Sequence, residues 1–277
     1  MEDYPIIKEK NGKKHFFRFT MEERIQHIIL ALSVIILVLT GMPLKFHDLG
    51  WASFIYDLFG GIKGAPIVHK IAGTALLLVF FYHVVSLVRN IGRHYVAPMR
   101  REGRLGFVSF LKMLANLPLV PNLKDLRDII DLMKYLFFIT NKRPDGARFT
   151  WKEKFDYWAP FWGVFVIGIT GLIMWHKEFA STFISGFIIN FCLIAHSDEA
   201  LLAALFLFIW HWYNVHFSLS VFPMGTVFLT GYLSEEMMVE EHYEQYVELM
   251  KQAGRESEIL PPHGGDAHEE REGGLPS

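Results

Sequence analysis

Three histidines, His196, His211 and His216, stand in one apolar stretch, HSDEALLAALFLFIWHWYNVH. Imidazoles inside a segment apolar enough to cross a bilayer are costly, so they are expected to face a protein interior and to do chemistry there. His196 and His211 lie fifteen residues apart, which on a regular helix means about 60° around the axis and roughly 22 Å along it. A second apolar stretch, about 65–88, repeats the pattern with His69 and His83, fourteen residues and some 21 Å apart. A third, about 25–44, carries His27 within its first turns. Imidazoles at two depths suit two metal centres stacked across a membrane, and a b-type haem takes two axial ligands. His69 with His196 makes one such pair. The other level offers four candidates, His27, His83, His211 and His216.

The competing readings are weaker in residue chemistry. A histidine at a helix end often only hydrogen-bonds at the interface, and His47, His94 and His176 fit that description. A zinc or di-metal site gathers its ligands within a few ångströms and commonly adds carboxylates or thiolates. The apolar stretches supply none at suitable positions except Asp198 and Glu199, at one end. The one cysteine, Cys192, excludes an internal disulfide, a self-contained iron–sulfur cluster and the two-cysteine attachment of a c-type haem.

Four apolar stretches have to position these histidines. The chain of 277 residues is 52% hydrophobic, in blocks long enough to span. Expected spans are about 25–44, 65–88, 157–175 and 191–217, with about 179–190 as a short interfacial helix. Residues 125–140 form an amphipathic helix at the membrane interface, with Leu126, Ile129, Ile130, Met133, Leu136 and Phe137 on one face. The stretch 105–120 is apolar but too short to count as a span, carries Lys112 and is broken by Pro118. No cleavable signal peptide is expected, since the first apolar run is already span-length.

Basic residues are sorted by loop. The segment 1–24 carries six and the connection 89–156 carries fourteen, against Lys45, Lys63, Lys70 and Lys177 on the opposite side. The positive-inside rule then puts both termini and the long loop in the cytoplasm. A net charge of −2 gives no reason to expect nucleic acid. The expected fold class is an all-α membrane protein, a four-transmembrane-helix haem-binding bundle with interfacial helices. It divides into a cytoplasmic N-terminal segment (1–24), a membrane domain (25–217, with the loop 89–156) and a C-terminal helix with a disordered tail (218–277). Spans one and three both end in Thr-Gly, LTGMP and ITGLI, and a histidine follows 28 and 25 residues later. This faint repeat suggests two helical hairpins.

The segments RFTMEERIQHIILALS, LTGMPLKF, IVHKIAG, ITGLIMW and FPMGTVFLTG occur in an order and spacing that covers about 16–245. Through them the chain resembles the cytochrome b (gamma) subunits of membrane-bound formate dehydrogenases, NiFe-hydrogenases and thiosulfate reductases. The resemblance implies two b haems, with His27 and His211 matching the family's inner ligands and His69 and His196 its outer pair. It also implies a quinone, such as menaquinone, beside the inner haem near the loop entering span three. There the chain reads RFTWKEKFDYW, making Lys152, Glu153 and Asp156 candidates for proton handling, with His216 nearby; this loop departs from the family's usual polar residues. His83 and His216 are extra to the pattern. They suit a propionate or quinone contact, a third haem, or, for His83, replacement of His27.

The expected function is that of a b-type cytochrome subunit of a respiratory complex in a bacterial or archaeal cytoplasmic membrane. It would carry electrons between an outer-face partner, a multihaem cytochrome c or an iron–sulfur subunit, and the quinone pool. The rivals are a haem-free membrane anchor or assembly subunit and a stand-alone transmembrane haem reductase.

Overall fold

The computed structural model describes residues 4–141, 146–218 and 221–262. In chain order the strands β1 (Ile7–Lys10) and β2 (Lys13–Phe17) precede α1 (Met21–Lys45), α2 (Gly50–Leu58), α3 (Gly61–Ile91) and α4 (Ala97–Arg101). Then come α5 (Phe107–Ala115), α6 (Leu123–Leu136), α7 (Trp151–Trp175), α8 (Lys177–Ala180) and α9 (Gly186–Leu205). The chain ends through α10 (Val227–Thr230), β3 (Tyr232–Ser234), α11 (Glu235–Glu241) and α12 (Tyr243–Gln252). It divides into two compact units, one of 20–106 with 158–217, the other of the remaining segments.

The larger unit is helical. Helical stretches at Met21–Lys45, Gly61–Arg101, Trp151–Trp175 and Gly186–Phe217 are long and apolar enough to cross a membrane. Leu32, Leu78, Phe81 and Phe165 stay more than half exposed on their outer faces, the reverse of a helix that meets water on its outer side. Inward positions are small or polar and recur every seven residues: Gln26, Ser33 and Thr40 on α1, Ala65, Ala72, Val79 and Ser86 on α3. Such residues let two backbones approach closely along a seam. α1 is started by a capping box in which Glu23 N–H donates to Thr20 Oγ1 and Thr20 N–H to Glu23 Oε2, at 3.3 and 2.8 Å. The fourth span differs from expectation in where it begins. The chain turns at 181–185, and one helix then runs from Gly186, so residues 186–190 join the span.

The smaller unit departs from an all-α reading. The basic segment before α1 is a β-hairpin, Lys10 paired with Lys13 around Asn11-Gly12, both at positive φ. That is the two-residue turn whose geometry matches the twist of the strands it joins. β3 adds antiparallel to β2, giving the order β1-β2-β3. Phe16, Leu233, Met238, Val239, Tyr246 and Met250 form its core. Several of its buried polar groups are paired. Arg18 donates to Glu153 at 2.7 Å and Gln245 at 3.0 Å, and Lys154 to Asp125 at 2.8 Å. The expected disorder past Gly254 does not describe residues up to 262. Arg255 pairs with Glu258 and Glu9, Lys14 with Glu258, and Ile259 packs against the core.

Candidate functional site

The His69–His196 site is built twice from the same parts. On α1, Thr40 Oγ1 lies 2.7 Å from the Ile36 carbonyl, to which it donates, and 2.8 Å from His69 Nδ1 on α3. On α7, Thr170 Oγ1 donates to the Val166 carbonyl at 2.7 Å and lies 3.3 Å from His196 Nδ1 on α9. Each hydroxyl proton is committed to its own helix, so its oxygen accepts from the imidazole N–H. His196 Nδ1 also lies 2.9 Å from the Ile167 carbonyl, which can only accept. Both rings therefore carry their proton on Nδ1 and present Nε2 as the lone-pair nitrogen. The adjacent glycines complete the cradle. A Cβ on Gly41 would stand 3.2 Å from His69 Cε1, and one on Gly171 3.0 Å from His196 Cε1. The Thr-Gly pairs thus seat and orient the two imidazoles.

His69 and His196 face each other with ring centres 6.3 Å apart and planes at 60°. His27 on α1 and His211 face each other at the same 6.3 Å, with planes at 42°. Two imidazole nitrogens bound to one metal at about 2 Å each, with ring centres a further ~1.1 Å behind, would place those centres ~6 Å apart. Each pair unites two helices remote in sequence. Beside the His69–His196 pair, Lys45 at the end of α1 reaches the second half of α9 through an ion pair to Asp198 and a 3.2 Å bond to Ser197.

His211 is reached by an irregular helix. After Leu205 the chain makes π-helical turns at Phe206–His211 and Tyr213–Phe217. A π turn holds more residues than an α turn and sets back the angular phase of everything after it. The 60° estimate between His196 and His211 assumed regular α geometry, so it does not describe this helix.

The remaining candidates stand outside the two facing pairs, although His216 lies close to His27 and His211. His83 lies against the α1–α3 seam, its Nδ1 2.8 Å from Gln26 Oε1 and its ring edge-on to Phe161. Below it Glu22 Oε1 accepts from Ser86 Oγ at 2.8 Å and from the Tyr82 hydroxyl at 3.1 Å. His216 lies on the last π turn, edge-on to Phe217. Lys152, Glu153 and Asp156 belong to the smaller unit. Lys152 pairs with Glu241 at 3.3 Å, and Glu153 caps α7 through Thr150 while bonding Arg18.

The Thr-Gly repeat is visible in the sequence without its role, and it extends further than those two pairs. Arg18-Phe19-Thr20 and Arg148-Phe149-Thr150 lie 130 residues apart, as do Glu23 and Glu153, and Thr40-Gly41 and Thr170-Gly171. α7 is thus a register-true counterpart of α1, with Tyr157 at the place of His27. His83 corresponds to His211 once the π turn is allowed its one extra residue.

Among the described residues no three His, Cys, Asp or Glu side chains gather closely enough to hold a metal ion. Two facing imidazoles underligate a bare zinc ion, which takes four donors. They match an iron porphyrin, which brings its own four nitrogens and needs two axial ligands. The donor set fits that group at both levels. Comparison of the chain with protein-family models and with curated proteins found no match.

Proposed function

We propose that this chain is the b-type cytochrome subunit of a membrane respiratory complex, similar to those of formate dehydrogenases and NiFe-hydrogenases. Its four long helices cross a bacterial or archaeal cytoplasmic membrane with both termini inside. His69 and His196 hold an outer haem b, His27 and His211 an inner one. The observation that carries this reading is the matched pair of imidazole couples, each 6.3 Å between ring centres and each drawn from two helices.

A bound haem iron supplies a one-electron centre that cycles between ferric and ferrous. The chain's own part is to hold, orient and dry the two sites. Thr40 and Thr170 hold the outer imidazoles in one tautomer, which second-shell partners of metal ligands commonly do. The flanking apolar helices exclude water. Two sites roughly 20 Å apart along the helices would divide a bilayer core of about 30 Å into short intervals. The subunit would then link an outer-face multihaem cytochrome c or iron–sulfur partner to a quinone at the inner side. Lys152 and Glu153 are occupied in the smaller unit's ion pairs, so the reading rests no quinone contact on them.

The test is a reduced-minus-oxidised spectrum of the purified chain with pyridine-haemochrome counting. Two haems b per chain are expected, and His27→Ala should remove one of them. A chain with no b-type α-band would be a membrane anchor instead. Three haems, or an inner haem undiminished in His27→Ala, would overturn the ligand assignment.

A further inference from the structure

α6 is amphipathic the wrong way round for a helix in water. Its polar side is the one that docks: Asp125 is buried against Lys154 at 2.8 Å, and Lys124 reaches Glu244 at 2.6 Å. Its apolar side is uncovered. Leu123, Leu126, Ile130, Met133 and Phe137 recur at i, i+3, i+7, i+10 and i+14, each 45% or more exposed. That spacing makes one continuous stripe. A soluble domain would turn this stripe inward and leave the aspartates outside.

The end of the helix points the same way. Phe138 N–H bonds the Tyr135 carbonyl at 3.0 Å and Ile139 N–H the Lys134 carbonyl at 2.8 Å, the double closure whose left-handed residue is usually glycine. Here that residue is Phe138, at φ 57° and 93% exposed. A left-handed conformation is strained for any residue that carries a Cβ. Among the described residues nothing covers the ring that is held there.

We infer that α6 lies in the plane of the bilayer surface, its stripe among the acyl chains and Phe138 inserted as a wedge. The occupant is lipid for reasons of connection, length and charge. Residues 107–141 run between two helices of bilayer-spanning length, Gly61–Arg101 and Trp151–Trp175, and so are tethered to the membrane at both ends. Fourteen residues, about 21 Å of helix, are too few to cross it. Arg127 and Lys134 border the stripe, where long basic side chains can reach lipid phosphates while their stems stay apolar.

The inference rests on the four-span reading, and the experiment separates the two. In a Cys192→Ser background of the full chain, nitroxide labels are placed singly at positions 32, 130, 131 and 138 and the protein is put in phosphatidylglycerol-containing nanodiscs. Collision with oxygen, which partitions into lipid, is compared with collision with a soluble nickel chelate. Positions 130 and 138 are expected to favour oxygen severalfold over position 131, as position 32 on the outer face of α1 does. Lipid contact at 32 with nickel access at 130 and 138 would overturn the placement of α6 alone. Shielding of 130 and 138 from both reagents would identify a protein partner and overturn it too. Nickel access at 32 would overturn the spanning reading itself.

Discussion

At the scale of single residues, the two threonines beside the outer histidines differ in what they carry. His69 Nδ1 has Thr40 Oγ1 as its near acceptor at 2.8 Å, whereas His196 Nδ1 has both Ile167 O at 2.9 Å and Thr170 Oγ1 at 3.3 Å. Thr40→Val keeps the shape and removes the oxygen, so the imidazole loses its orienting partner. Loss of such a partner typically weakens a metal site by about 10–100-fold. Thr40→Val is expected to show that loss in haem retention and a shifted outer midpoint potential. Thr170→Val should change both less, because the carbonyl remains. Haem titration into the depleted protein reads the difference, and equal effects would show that the hydroxyls do not set the tautomer. The Thr-Gly pairs were visible in the sequence as a repeat. Their role was not, because it depends on which side chain of the next helix comes to lie over them.

Among the elements, the spans were legible and their irregularities were not. Blocks such as IILALSVIILVL announce a bilayer-length helix by composition alone. The π turns leave no such mark, since they shift a helix by a fraction of a turn without changing its apolar character. The hairpin before α1 was missed for a different reason. Its strands, IKEK and KKHFF, are rich in charge, yet Asn11-Gly12 is a strong hairpin signal. In the smaller unit the pair Lys154–Asp125 ties α6 to the start of α7, with side chains 7% and 12% exposed. Asp125→Ala leaves that ammonium buried alone and should cost about 3–5 kcal/mol, while Asp125→Leu with Lys154→Met should cost far less. Hydrogen exchange of β1 and β2 amides in the full chain measures both. His242 adds a pH dependence. Burial lowers its pKa from 6.5, with Glu153 pulling the other way, so the unfolded chain binds the proton first. The unit should keep full stability above about pH 6.5 and lose it as pH falls below that value. His242→Gln should abolish this part of the decline. Glu258, held at about 2 by Arg255 and Lys14, acts in a separate, more acidic window.

Across the whole molecule, the repeat explains why the His69–His196 pair is symmetric and the His27–His211 pair is not. Thr40-Gly41 and Thr170-Gly171 are counterparts, and the histidines they seat are counterparts too. His27 has Tyr157 as its counterpart, so a copy of the inner pair, made from His83, would lack its second imidazole. On the proposed reading that favours two haems over three. The repeat also bears on how the rings are held. Because Thr40 and His69 share one half of the chain, and Thr170 and His196 the other, each imidazole takes its orienting hydroxyl from its own half. Ring pose and proton position are thus fixed from within each half. A flat guest held between the halves would meet two imidazoles already turned toward it.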